Sequence, residues 1–264
     1  MNMENAKNIT NEIIQAKQLV LETRHGDFRC FAMPGNTEDT ASLQVIKSFV
    51  KRKYEKAGYK GFSMDIDALF DPHAMYFFVI NHTEKLVTTS RVIIRQKGAR
   101  LPIECANKQD GTKYCLEEKF SSGKRFAEIT SFGASWRYTK GHRPLWLEGL
   151  LVSIPTFNTF PALKLMFSCL GAFVQSQAVD TVFCLVDQTN QQSIKTYTNE
   201  GFRPSNKLTS LVSFPTYGKS SEQGLKPTEW CVYEIKGKKI EKHALAMQRF
   251  QIPLIQFPAF NLLN

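Results

Sequence analysis

Apolar positions along the chain change spacing from segment to segment, and each change marks an element. Ile9, Ile13 and Val20 recur at helical intervals, so residues 1–26 predict a short amphipathic helix broken by His25-Gly26-Asp27. Residues 28–33 are compact and apolar, a strand stopped by Pro34-Gly35. Leu43, Ile46, Phe49 or Val50, Tyr54 and Ala57 then form a helical stripe. Asn36 or Thr37 is placed to cap that helix, Glu38 and Asp39 to sit in its first turn, and Gly58 to end it. Its opposite face is expected to carry Lys47, Lys51, Arg52 and Lys56.

Strands follow over 75–81 and 86–95, around a turn at 82–85. Residues 97–125 are polar and contain glycine, as an inserted loop or a small excursion would. Phe126, Ile129 and Phe132 predict a strand over 126–135, and Gly141, Pro144 and Pro155 break the connection over 136–158. Thr159 caps an expected helix over 160–177, apolar nearly all round and therefore buried. A strand over 181–186, a helix over 193–200 and strands over 208–214 and 229–235 complete the series. With no internal repeat, one α/β domain over 27–236 fits, preceded by a helical extension over 1–26. A tail over 237–264 begins basic, ends apolar and is expected to pack on the domain or on a partner.

Composition narrows the classes. The 264 residues are 42% hydrophobic and 22% charged, the balance of a globular chain. The greasiest stretch, 150–174, is interrupted by Pro155, Asn158, Pro161 and Lys164, so no membrane span is expected. The polar N-terminus lacks the apolar core of a signal peptide. The six cysteines form no CxxC pair. A cytoplasmic, reduced protein without a structural metal is the expectation. Thirty-four Lys and Arg against 24 Asp and Glu leave a net charge of +10, which suits an acidic protein partner or an anionic cofactor. The basic residues are scattered and no nucleic-acid reading motif occurs, so nucleic acid is not an expected partner.

The sharpest pattern lies at the end of the 160–204 segment: Asn190, Ser193, Ile194, Tyr197, Gly201 and Phe202, spaced N-x-x-S-I-x-x-Y-x-x-x-G-F. It resembles the N-x-x-A-I-x-L-Y-x-x-x-G-F pattern of the GNAT superfamily of N-acyltransferases, with Ser193 for Ala and Thr196 for Leu. A second ordered set comprises Asp65, Asp67, Phe70 and Asp71, then Arg91, then Leu101-Pro102, then the run Glu128 to Ser135. It is similar to long-chain N-acyl amino acid synthases and, more distantly, to acyl-homoserine-lactone synthases. Asp65 stands where those families have Glu, one residue is inserted before Phe70-Asp71, and Ser131 replaces their second Arg.

The resemblance implies a GNAT-like fold: a mixed central sheet splayed between its fourth and fifth strands, with helices on both faces. A pantetheine arm would lie in the gap like an added strand, its thioester carbonyl near a fourth-strand N–H. The donor would be an acyl carrier protein or acyl-CoA, bringing a phosphopantetheine thioester and no tightly bound cofactor, and the acceptor a small amine or amino acid. The chain lacks the Gly-rich pyrophosphate run of CoA users, having no glycine between Gly149 and Gly171. That points to a carrier protein, which the basic face of the 43–57 helix would suit.

Residue roles follow from the same resemblance. Glu128 would take the proton of the amine, or else be an ordinary salt-bridged strand residue. Tyr197 would protonate the departing thiolate, or else be a core aromatic. Arg91, with Phe132, Asp67 and Asp71, would contact substrate, but an Arg at the centre of a strand also fits a bridge to Asp67 or Asp71. Gly133, Ala134 and Asn190 would line the donor arm. Lys140 and Arg143 would hold one phosphate, or lie in a solvated loop. Phe160, Phe167, Leu170, Val174 and Phe183 would line an acyl slot, or simply fill the core. Two other readings remain: a short-chain acyl-CoA-dependent N-acetyltransferase of an amine or protein lysine, and a non-catalytic fatty-ligand-binding protein on the same fold.

Overall fold

The computed structural model describes residues 21–61, 68–134, 142–147, 150–155, 161–221, 224–237, 239–240 and 242–243. The chain opens with strands β1 (Leu21–His25) and β2 (Phe28–Pro34), helix α1 (Thr40–Lys56) and β3 (Tyr59–Lys60). A 3-10 turn (Asp71–His73) leads into β4 (Ala74–Asn81) and β5 (Leu86–Ile94). The short helices α2 (Pro102–Cys105) and α3 (Leu116–Lys119) flank β6 (Asn107–Lys108). Then come β7 (Phe126–Ala134), β8 (His142–Leu147), β9 (Leu150–Pro155), helix α4 (Pro161–Ser176), β10 (Thr181–Asp187) and helix α5 (Gln191–Asn199). The last strands are β11 (Arg203–Pro204), β12 (Val212–Ser213), β13 (Gly218–Ser221), β14 (Gly224–Pro227) and β15 (Trp230–Lys236).

The main sheet runs β1-β2-β4-β5-β7-β10-β15-β12-β6, with β11 beside β15. Neighbours are antiparallel except β7 and β10, which are parallel. A parallel pair needs a long crossover, and α4 lies within it. Residue alternation sorts side chains between two cores. Ala127, Ile129, Val182 and Cys184 meet α4 and Tyr197 on one face. Phe126, Ile93 and Phe183 meet Leu43 and Ile46 of α1, with Ile103 and Leu116, on the other. Helices therefore cover both faces of a mixed sheet, the α/β arrangement expected.

Several expectations change. Residues 21–25 are strand, not helix: they pair with 28–32 across Gly26-Asp27, with Gly26 at φ 55°. Residues 1–20 of that expected helix lie outside the described residues. Helix α1 begins later than expected, capped by Asp39, whose carboxylate accepts from the Ser42 N–H. The supposed loop over 97–125 is packed structure, with Leu101, Ile103, Ala106 and Leu116 fully buried. The 136–158 connection contains the β8–β9 hairpin; its prolines are tolerated because a two-stranded hairpin is all edge. The strand over 208–214 shrinks to β12. Lys47 is not on a solvated face: it is buried and paired with Asp71. All six cysteines are free thiols, of which Cys30, Cys169 and Cys184 are buried. Among the described residues no helix is long and apolar enough to cross a membrane.

Candidate active site

The parallel pairing of β7 with β10 runs from Phe126 opposite Thr181 to Ile129 opposite Cys184, and stops. Both strands continue, β7 to Ala134 and β10 to Asp187. On its other edge β7 stays paired with β5, but the register shifts between Thr89 and Arg91. Ser131 sits there at φ 50°, the backbone signature of a bulge. An extra residue on one strand bends it and sharpens its twist, so β7 turns away from β10 past Ile129. A cavity of about 170 Å³ opens at the parting. Glu128, Thr130 and Phe132 border it from β7, Leu185 from β10 and Tyr197 from α5.

Glu128 is completely buried. Its Oε2 accepts from the Ile103 backbone N–H at 2.8 Å, while its Oε1 has no hydrogen-bond partner among the described residues. Desolvation pushes the carboxyl up to about 8, with the Glu104 charge adding to the rise; the Ile103 N–H and the Arg91 charge pull the other way. Among the described residues no salt bridge engages Glu128, so the salt-bridged alternative does not describe it there. Tyr197 is almost fully buried and lines the same cavity. Its ring meets Phe132 at 5.8 Å, Phe202 at 5.4 Å and Phe167 at 6.3 Å between centroids. Burial holds its phenol well above the usual value, so the hydroxyl keeps its proton. Glu128 belongs to the β7 face that meets α1, and Tyr197 to the face that meets α4. The cavity thus meets a carboxyl and a phenol from opposite sides of the sheet, at the gap between two strands.

The carboxylate–guanidinium bridge is the reading that describes Arg91. Its Nη1 donates to Asp71 Oδ1 at 3.3 Å and to the Tyr76 hydroxyl at 3.1 Å, and its Nε donates to Thr130 Oγ1 at 2.9 Å. Asp71 also accepts from Lys47 and, at 2.7 Å, from Tyr76. This buried cluster ties α1 and the 3-10 turn to β4 and β5. Asp71 is therefore an anchor, while Arg91 both belongs to the cluster and borders the cavity. Asp67 lies outside the described residues.

No family model matches the sequence, and no curated protein sequence matches it. Solved structures do. The N-acyl amino acid synthase FeeM from uncultured soil microbes aligns over 84% of this chain and 98% of its own, at TM-score 0.50 and 16% identity. The chain has the GNAT fold. An uncharacterized protein from Bacillus halodurans aligns over 86% of this chain and 94% of its own, at TM-score 0.48 and 10% identity. The ribosomal-protein-S5-alanine acetyltransferase of Vibrio fischeri aligns over 82% and 97%, at TM-score 0.44 and 9% identity.

The GNAT frame locates the remaining expected positions. Gly133 and Ala134 lie on the outer half of β7, opposite Thr89 and Thr88 of β5. A Cβ on Gly133 would come within 3.3 Å of the Phe49 ring and 3.5 Å of Lys53 Cγ, so α1 crosses this end of the strand closely. Asn190 spends its side-chain oxygen on the Ser193 N–H, capping α5 rather than reaching outward. Lys140 lies outside the described residues. Arg143 falls on β8, and only its backbone is described. Phe167, Leu170 and Val174 are buried core residues, and Phe183 faces the opposite core with Phe126. Phe160 lies outside the described residues. Among the described residues no group of His, Cys, Asp and Glu side chains gathers as a metal site.

Sequence reading missed one wall of the cavity. Tyr54, Phe214, Tyr217 and Trp230 line it, with Phe70 and Pro102 nearby. Tyr217 and Trp230 stack at 5.7 Å between centroids, and Tyr59 lies 5.6 Å from each. These rings come from α1, the loop after β12, and β15, so no local spacing announces them.

Proposed function

We propose that this chain is an N-acyltransferase that moves an acyl group from a phosphopantetheine thioester to the amino group of a small amine or amino acid. One observation carries the reading: where two parallel strands part, a buried carboxyl with an unpartnered oxygen and a protonated tyrosine border one cavity. The GNAT fold, and the N-acyl amino acid synthase among its structural neighbours, support it.

In this reading the donor arm enters the gap between β7 and β10. The outer edge of β7 is free of β10 past Ile129 and offers backbone groups to the arm and its carbonyl oxygen. An ammonium has no lone pair, so the acceptor must lose a proton; Glu128 as carboxylate takes it. The nitrogen attacks the thioester carbonyl. The tetrahedral intermediate collapses, the C–S bond breaks, and the Tyr197 hydroxyl gives its proton to the thiolate. The proton still on the nitrogen restores the Tyr197 hydroxyl, Glu128 releases the proton it took to solvent, and the products are an amide and a free thiol. Residues 27–236 form the catalytic domain.

The donor is proposed to be an acyl carrier protein with a medium or long acyl chain. Lys53, whose ammonium is held down by burial and by the neighbouring Lys56 and Arg52, stands beside Gly133. Such crowded positive charge favours an anionic donor at the outer end of β7. The cavity's size favours a second reading, a short acyl-CoA donor: about 170 Å³ is below the roughly 300–1,000 Å³ typical of ligand pockets. Thiol release, measured with acyl carrier proteins and acyl-CoAs of graded length against a panel of amines, tests both. Release from carrier-bound chains supports the first reading, and release from short acyl-CoA alone supports the second. No release from any donor overturns both and leaves a ligand-binding protein on this fold.

A further inference from the structure

Two residues lining the cavity hold buried polar atoms that no described residue satisfies: Oε1 of Glu128 and Nε1 of Trp230. Once ionised, the Glu128 carboxyl only accepts hydrogen bonds, whereas an indole nitrogen can only donate. Buried polar groups are almost always paired, so each exception calls for a reason. A ligand with a nitrogen donor at one end and an oxygen acceptor at the other supplies both missing partners.

The register sets how far apart those ends are. Glu128 neighbours Phe183 on β10, and Trp230 lies opposite Asp187, four positions further along that strand. At about 3.3 Å per residue that is roughly 13 Å of strand. Side chains close part of the distance, and the remainder favours an amine and an oxygen several bonds apart. Tyr54, Phe70 and Tyr217 line the same cavity, rings that favour an apolar or aromatic body.

We propose that the acceptor is an elongated amine whose far end carries an oxygen that accepts from the Trp230 indole N–H, with Glu128 at the amine end. This rests on the acyltransferase reading for the identity of the cavity as the acceptor site. Trp230 is then a specificity-determining residue.

Calorimetric binding in the absence of donor tests it, with two probe pairs: 6-amino-1-hexanol against hexylamine, and 4-hydroxybenzylamine against benzylamine. In the wild-type protein the hydroxylated member of at least one pair binds about tenfold tighter, the usual scale for satisfying a buried polar group. Trp230→Phe keeps a ring and removes the N–H; the preference then falls to twofold or less, while the unhydroxylated amine binds as before. Equal binding within both wild-type pairs, no binding of any probe, or a preference that survives in Trp230→Phe overturns the proposal. The wild-type comparison decides alone if the variant does not fold. Thiol release is scored separately. Acyl transfer without any gain from the hydroxyl removes this inference and leaves the acyltransferase reading. Trp230-dependent binding without thiol release overturns the acyltransferase reading and leaves the cavity as a binding site for such an amine.

Discussion

The backbone N–H of Ile103 donates to Oε2 of Glu128 at 2.8 Å, across 25 residues of sequence, and that one bond holds a fully buried carboxyl in place. The bond favours the ionised form, yet desolvation wins and the carboxyl titrates at about 8. The folded-state value lies above the unfolded one of 4.5, so between those values the native state binds the extra proton. Stability should therefore fall as pH rises through this window, by up to about 1.4 kcal/mol per pH unit from this group. Urea unfolding of wild type and Glu128→Gln between pH 6 and 9 checks this. The variant should lack that component of the slope, and identical slopes would mean Glu128 does not titrate there.

Glu104 acts on Glu128 through the turn that carries Ile103. Its carboxylate accepts from the Leu101 N–H at 3.1 Å and pairs with Arg95 at 2.7 and 3.0 Å. Its charge also raises the Glu128 carboxyl. Glu104→Gln keeps an acceptor and removes the charge, so the Glu128 titration should move toward acid. Carbonyl-stretch infrared titration, with Glu128→Gln identifying the band, reads that shift; an unmoved band would separate the two residues.

Asp71 is shared by Lys47 and Arg91, all three buried. Asp71→Ala removes the carboxylate and leaves two buried cations, a change that typically costs about 3–5 kcal/mol. Chemical denaturation should show a loss of that order. A loss under about 1 kcal/mol would show that the cluster is not an anchor.

Tyr197→Phe removes a hydroxyl for which the described residues provide no hydrogen bond and leaves the ring packed against Phe132 and Phe202. Thermal stability should change little. If the hydroxyl protonates the leaving thiolate, kcat should fall about 100-fold with the donor KM nearly kept, the mark of an interaction made in the transition state. Full activity would make Tyr197 a packing residue.

Much of the fold could be read from the chain because its strands are unusually apolar. All eight residues of β4 are buried, and a run of that kind announces itself without alternation. Lys47 shows where such reading slips. It stands four residues after Leu43 and three before Val50, inside the stripe's own spacing, and its charge disguised a buried position. The hairpin of β8 and β9 was hidden by Pro144 and Pro155, which read as breakers. Residues 21–25 are too few for periodicity to separate strand from helix end. Glu128 and Tyr197 were legible through an ordered motif. Ile103, Tyr54 and Trp230 were not, because long-range packing alone brings them to the cavity.

The most direct test is the pH dependence of thiol release from an acyl thioester donor, measured as kcat/KM for the amine from pH 6 to 10 in wild type and Glu128→Gln. With Glu128 as the base, wild-type activity rises with a limb near 8. The variant loses that limb, is slowed most near neutrality, and recovers toward wild type at high pH, where the amine deprotonates unaided. Superimposable profiles for the two proteins would contradict the account.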